Sequence, residues 1–80
     1  MKARIIILPK KSVLDPQGAT VKNALSHLGF AGIQSVRVGK FIEVEVDGAN
    51  EVDTRKKLDE ACQRLLANPV IEDYQLELGQ

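Results

Sequence analysis

The chain alternates short apolar runs with two stretches of helical spacing. Lys2 to Pro9 (KARIIILP) is rich in isoleucine and predicts a strand buried on both faces at its centre. Pro9 cannot donate to a ladder, so the strand should end there, and residues 10–14 read as a basic connecting loop. Asp15 then offers an N-cap, and Pro16 suits the first helical position, where its missing N–H costs nothing. Val21, Ala24, Leu25 and Leu28 follow at helical spacing, with Gly29 placed for a left-handed C-terminal residue. A helix over 16–28 is predicted.

Residues 33–38 alternate as a strand, with Val36 and Val38 on one face and Arg37 on the other. Gly39-Lys40 reads as a short turn. Residues 41–46 alternate again, with Ile42, Val44 and Val46 inward and Glu43 and Glu45 outward. Two such runs around a Gly-containing turn predict a β-hairpin. Asp47-Gly48-Ala49-Asn50 breaks the strand. A second helix is expected to begin near Asn50 or Glu51, with Glu51 and Asp53 at its positive end. Leu58, Ala61, Cys62, Leu65 and Leu66 form its apolar stripe, and Asn68-Pro69 ends it. Residues 70–78 make a last strand, with Val70, Tyr74, Leu76 and Leu78 predominantly on one face.

The order β-α-β-β-α-β, with two right-handed crossovers about a hairpin, predicts an α+β ferredoxin-like sandwich. Its sheet would be four-stranded and antiparallel, in the order 4-1-3-2, with two helices on one face. No linker or repeat divides residues 1–80, which read as a single domain.

Length then limits stability. Eighty residues support one small, marginal core, so disulfides, metal or self-association are expected helpers. A single cysteine, Cys62, excludes an internal disulfide and a Cys-rich metal site. Self-association remains, and at least a dimer is expected. An open sheet leaves two edges, and the second strand has only Arg37 as an internal charge to discourage pairing. The longest apolar run, Ile5 to Leu8, falls far short of a membrane span. The N-terminus lacks the apolar stretch of a signal peptide, which points to a reducing cytoplasm.

Net charge is zero, but residues 1–40 carry seven bases against Asp15 alone, giving +6. Residues 41–80 carry ten acids against four bases, giving −6. In the 4-1-3-2 order these signs alternate across the sheet, so the split reads as interleaved complementarity with any surplus turned toward protein partners. An overall neutral chain with two Phe, one Tyr and no Trp argues against nucleic-acid binding.

A fold of this kind hosts many functions, so each must be sought in the residues. After the first strand, Lys10-Lys11-Ser12-Val13 carries neither the Cys-x-x-Cys of a metal chaperone nor the arginine of an acylphosphatase loop. The central strands offer Ile5, Ile6, Ile7 and Phe41 where an RNA-recognition domain displays aromatics. His27 lies opposite the apolar stripe of its helix and reads as a solvated surface residue. Cys62 reads as a small core hydrophobe. Arg55-Lys56-Lys57, among Asp53, Asp59 and Glu60, reads as a solvated face with i,i+4 pairing. Glu72 and Asp73 point to opposite faces and do not converge on a ligand. No catalytic, metal or phosphate-loop constellation emerges, and a binding or structural role is what remains.

Four segments are also familiar as an ordered set: VLDPQG (13–18), LGF (28–30), VRVGK (36–40) and NPVIEDY (68–74). In this order and at these distances, over nearly the whole chain, they resemble the PurS family, the small subunit of phosphoribosylformylglycinamidine (FGAM) synthase. The resemblance implies a role in de novo purine biosynthesis, within a three-component amidotransferase. There a glutaminase subunit releases ammonia, and a large ATP-dependent synthetase subunit uses it to convert FGAR to FGAM. The small subunit, a homodimer or higher assembly, bridges the two; no catalytic residue and no cofactor are implied for it. Physically, the segments first cap a helix, shape a hairpin and start a strand. Capped loops and sheet edges are also rigid presentation sites. On that ground the candidate partner contacts are Asp15, Pro16, Gln17, Gly18, Arg37, Gly39, Lys40, Asn68, Pro69 and Tyr74. The alternative is a small-molecule-binding regulatory module of the same fold.

Overall fold

The isoleucine run becomes the central strand. In a computed structural model, which describes residues 1–47 and 50–79, β1 (Lys2–Pro9) pairs antiparallel with β2 (Lys40–Glu45) on one side and β3 (Glu72–Gly79) on the other. The sheet order is β2-β1-β3. Alternation along β1 sends Ala3, Ile5 and Ile7 to one face, where all three are fully buried. Ile42 and Val44 of β2 and Tyr74 and Leu76 of β3 close around them. Each fully buried isoleucine contributes roughly 1.5–3 kcal/mol. The outer face is open: Ile6 and Leu8 are half-buried and Phe41 is exposed. The expectation that β1 is buried on both faces therefore holds for one face alone, because no element among the described residues covers the other.

The inner face is covered by α2 (Glu51–Ala61) and a π-helical turn, Cys62–Leu66, that continues it. Asn50 caps α2, its Oδ1 accepting the N–H groups of Val52 and Asp53 at 2.9 and 3.2 Å. The π turn closes with Ala67 N–H donating to the Cys62 carbonyl at 2.9 Å. The widened turn inserts one extra residue and changes which side chains face the sheet. Cys62 and Ala67 reach Ile5 and Ile7, while Leu65, expected on the stripe, is 81% exposed. Thr54 joins the buried set instead. The helix ends before Asn68, whose carbonyl and Oδ1 hold a tight turn to Ile71, Glu72 and Val70. Val70 therefore lies exposed in that turn and not on the inner face of the last strand.

Two corrections concern residues 16–39. The helix α1 (Pro16–His27) forms as expected, with Leu28 as its C-cap, but it packs on neither the sheet nor α2. The two helices do not share a face of the sheet. Residues 33–38 form no strand, so the sheet has three strands, not four, among the described residues. The reason lies at Gly39. A two-residue hairpin turn of the favoured types needs positive φ, and among the described residues only Gly29 and Gly32 have it. Gly39 instead runs straight past the end of β1, so close that a Cβ would lie 2.1 Å from the Ile7 carbonyl oxygen. The chain thus enters β2 from outside the sheet. The expected break at Asp47-Gly48-Ala49-Asn50 includes Gly48 and Ala49, which lie outside the described residues. The result is long and flat, 50 × 26 × 15 Å, with a radius of gyration of 16.0 Å against about 12 Å for an ordinary domain of this length.

The π turn makes a sharp contrast testable by urea denaturation. Ile5→Ala should cost about 2–5 kcal/mol, whereas Leu65→Ala should change stability by less than about 0.5 kcal/mol. A regular α-helix through residue 66 would instead make both substitutions costly.

Candidate functional site

Five of the ten expected contact residues gather where residues 16–39 join the sheet, at the end of β1. Asp15 is the hub. Its Oδ1 accepts the Gly18 N–H at 3.0 Å, capping α1, and its Oδ2 accepts the Val38 N–H at 2.9 Å. These bonds, the Gly18 one foremost, hold the Asp15 carboxyl below the usual carboxylate range. One turn along the helix, Gly18 is buried against the Val36 carbonyl, where a Cβ would stand 2.2 Å from the oxygen. One turn further, Lys22 Nζ donates to the Gln34 carbonyl at 2.9 Å. Successive helical turns therefore meet Val38, Val36 and Gln34. That is two residues per helical pitch of about 5.4 Å, a nearly extended path. Helix and segment form one arm.

Arg37 anchors the arm to the sheet, its Nη1 donating to the Pro9 carbonyl at 3.2 Å. Gly39 packs on Ile7. Lys40 Nζ reaches Glu72 Oε2 at 3.8 Å, and Glu72 Oε1 accepts the Asn68 N–H at 2.7 Å. The segments 13–18, 36–40 and 68–74 are thus tied to one another through Asp15 and the Lys40–Glu72 pair, while Arg37 fastens the second to Pro9 of β1. Pro16, Gln17 and Pro69 are exposed on the flanks. Tyr74 is the exception: its side chain is on the inner face, where its hydroxyl donates to Asp59 Oδ1 at 2.5 Å. That bond raises the phenol above its usual range. Gln63 Nε2 completes the group, donating to Asp59 Oδ2 and Tyr74 Oη at 3.1 and 3.3 Å. This clasp of α2 and its π turn to β3 was not evident in sequence, because only the fold juxtaposes residues 59, 63 and 74.

Nothing at the junction is arranged for bond chemistry. His27 lies at the far end of α1 from Arg37, its Nδ1 on the Asn23 carbonyl oxygen at 2.8 Å. Cys62 is buried, and that burial, with Asp59 nearby, pushes its thiol up and away from reactivity. Among the described residues no group of three or more His, Cys, Asp and Glu could hold a metal ion, and no helix is long and apolar enough to cross a membrane.

The family model for PurS, described as phosphoribosylformylglycinamidine (FGAM) synthase, matches residues 2–80. The chain belongs to the PurS family. Similar proteins include the phosphoribosylformylglycinamidine synthase subunit PurS of Methanocaldococcus jannaschii, 43% identical over 96% of this chain and 93% of the relative. The Bacillus subtilis subunit PurS is 40% identical over 99% and 93%. The crystal structure of Methanocaldococcus jannaschii PurS, one of the subunits of formylglycinamide ribonucleotide amidotransferase, superposes with a TM-score of 0.85 at 40% identity. It covers 99% of this chain and 95% of that one. A chain in the structure of PurLQS from Thermotoga maritima also superposes at 0.85, at 32% identity over 95% and 93%. The shape of this PurS-family chain, arm included, is therefore shared with chains solved by crystallography.

Lys10, Lys11 and Lys22 were not among the expected contacts, although the +6 of residues 1–40 was the signal that pointed to them. With Arg37 they line one cleft between the arm and the end of β1.

The Asp15 hub makes a pH-dependent prediction. Because its folded carboxyl titrates below the unfolded value of about 3.9, its contribution is complete above that pH and is lost as pH falls through the lower folded value. Asp15→Ala should lower the melting temperature and speed amide exchange at Gly18 and Val38 at neutral pH. The difference from the unaltered chain should shrink below about pH 4; a difference that is constant with pH would show that the carboxylate is not the fastening group.

Proposed function

We propose that this chain is the small, non-catalytic subunit of FGAM synthase in purine biosynthesis, and that it bridges the ATP-dependent synthetase and glutaminase subunits. The observation that carries the reading is PurS membership over nearly the full chain. A rigid scaffold with an outreaching arm suits a protein that holds two larger ones together. The cytoplasm is the compartment that fits a purine-pathway subunit with one free, buried thiol.

We further infer that the working unit is at least a dimer. The arm leaves Leu14 85%, Leu28 74% and Phe30 57% exposed, with Val21, Ile33 and Val38 also uncovered. Within one chain α1 packs on neither the sheet nor α2. The outer edges of β2 and β3 are likewise unpaired in the sheet, and open edges invite pairing. A second copy that buries these positions offsets the small size of the core.

Two measurements test this. Omitting the chain from a mixture of the large and glutaminase subunits should abolish glutamine-dependent FGAM formation, and adding it should restore both activity and co-elution. Unchanged activity without it would overturn the bridging role. Light scattering at micromolar concentration should give at least twice the single-chain mass. Leu28→Glu should raise the dissociation constant of the dimer by about tenfold or more, as the transfer energy of one buried leucine predicts.

A further inference from the structure

The seven bases of residues 1–40 separate by position. Lys2 pairs with Glu43 at 3.0 Å. Arg4 stands in register between Glu43 of β2 and Glu77 of β3, and Lys40 reaches Glu72. The other four, Lys10, Lys11, Lys22 and Arg37, have no ion pair among the described residues, and all four line the same cleft. The one acid there is Asp15, and both its oxygens are already accepting backbone N–H groups. Asp73 lies beyond Lys10, Lys11 and Arg37, on the sheet side of the same ridge. The sheet thus neutralises its own bases, and the surplus gathers at the root of the arm.

We propose that this cleft docks an acidic surface segment of a partner polypeptide in the assembled enzyme. The inference rests on the bridging function above and deepens it by naming the surface. Its chemistry fits a protein better than a small anion. Lys11 and Lys22 are exposed and Lys10 is half-buried, Arg37 and Lys22 are spent in part on backbone carbonyls, and the Gly18 and Val38 N–H groups are already taken by Asp15. At about 630 Å³ the cleft has room for several side chains. Val13, Leu14 and Val36 supply apolar walls beside the charges. Ile6 and Leu8 of the open sheet face extend the apolar floor on the far side of Lys10 and Lys11. An acidic segment with apolar residues complements both features, and opposite charge speeds and orients its encounter.

The test measures assembly of the full chain with the two larger subunits. The double substitution Lys10→Glu and Lys11→Glu should weaken co-assembly by about tenfold or more. Lys10→Gln with Lys11→Gln should weaken it less, and keeps the test valid if the reversed variant folds poorly. Lys56→Glu with Lys57→Glu on α2 should leave assembly unchanged. Raising salt from about 0.1 to 1 M shortens the Debye length from about 10 to 3 Å. It should weaken assembly of the unaltered chain more than that of the neutral variant. Assembly that ignores both the substitutions and the salt overturns the docking surface while leaving the bridging role intact. No assembly even with the unaltered chain overturns the bridging role and the docking surface together. Loss of self-association with normal partner binding would assign the cleft to a contact between copies, and overturns the proposal. Inorganic phosphate that shifts the Lys10 and Lys11 amide resonances without displacing a partner would make it a small-anion site, with the same consequence.

Discussion

The architecture turns on the approach of Gly39 to the Ile7 carbonyl. At that spacing no side chain fits, and the backbone does not adopt the positive φ that would reverse it. The chain passes the end of β1 without the reversal a two-residue hairpin turn needs. Residues 33–38 then cannot fold back to pair with β2, the fourth strand is lost from the sheet, and α1 is carried outward with them. Asp15 fixes the consequence by capping the helix with one oxygen and holding Val38 with the other. Two short-range contacts therefore convert a sandwich into a sheet with an arm.

Much of this was legible in the sequence, and the part that was not has identifiable causes. The strand at 2–9, the one expected at 41–46 and found one residue earlier at Lys40–Glu45, and both helix starts follow from local chemistry: alternation, an Asp-Pro cap, a start near Asn50. The central position of β1 also follows, because two crossovers about a central pair leave few alternatives. Residues 33–38 misled because their alternation is real. Val36 and Val38 alternate with Arg37 as in a strand, yet it is their backbone groups that meet Gly18 and Asp15 at the start of α1, where a neighbouring strand was expected. Periodicity reports that one side of a segment is apolar, and not which element covers it. Leu65 misled for a narrower reason: one π turn shifts the helical register, and no residue in Cys62–Leu66 announces it. The expected contact residues divide along the same line. Asp15, Gly18, Arg37, Gly39, Lys40 and Asn68 do gather at one end of the sheet, and each makes a contact that holds the junction together.

The charge pattern refines that division. Interleaving does occur across β2, β1 and β3, where Lys2 and Arg4 sit among Glu43, Glu45 and Glu77. It stops at the sheet boundary because the arm contributes no fourth strand to continue it. Lys2 and Arg4 on the sheet have acids directly across the strands, whereas Lys10, Lys11 and Lys22 form no ion pair among the described residues. Neutrality of the whole chain is thus compatible with a strongly polarised surface. The polarity follows from topology more than from composition.

Stability and assembly then become one problem. Among the described residues the buried set is small, consisting of Ala3, Ile5, Ile7, Thr54, Leu58, Cys62, Ala67 and Gly18, and every member but Gly18 belongs to the sheet-and-α2 unit. The arm holds its shape through Asp15, Gly18 and Lys22 but buries almost no apolar side chain of its own. Its order depends on backbone and polar contacts, each worth little in water. An element of that kind gains more from a partner than from its own chain, because the apolar surface it exposes is still available for burial. A compact fourth strand would have stabilised the monomer and hidden the same residues. By keeping them on a pre-shaped arm, the fold leaves exposed the apolar surface that an ordinary domain buries in folding.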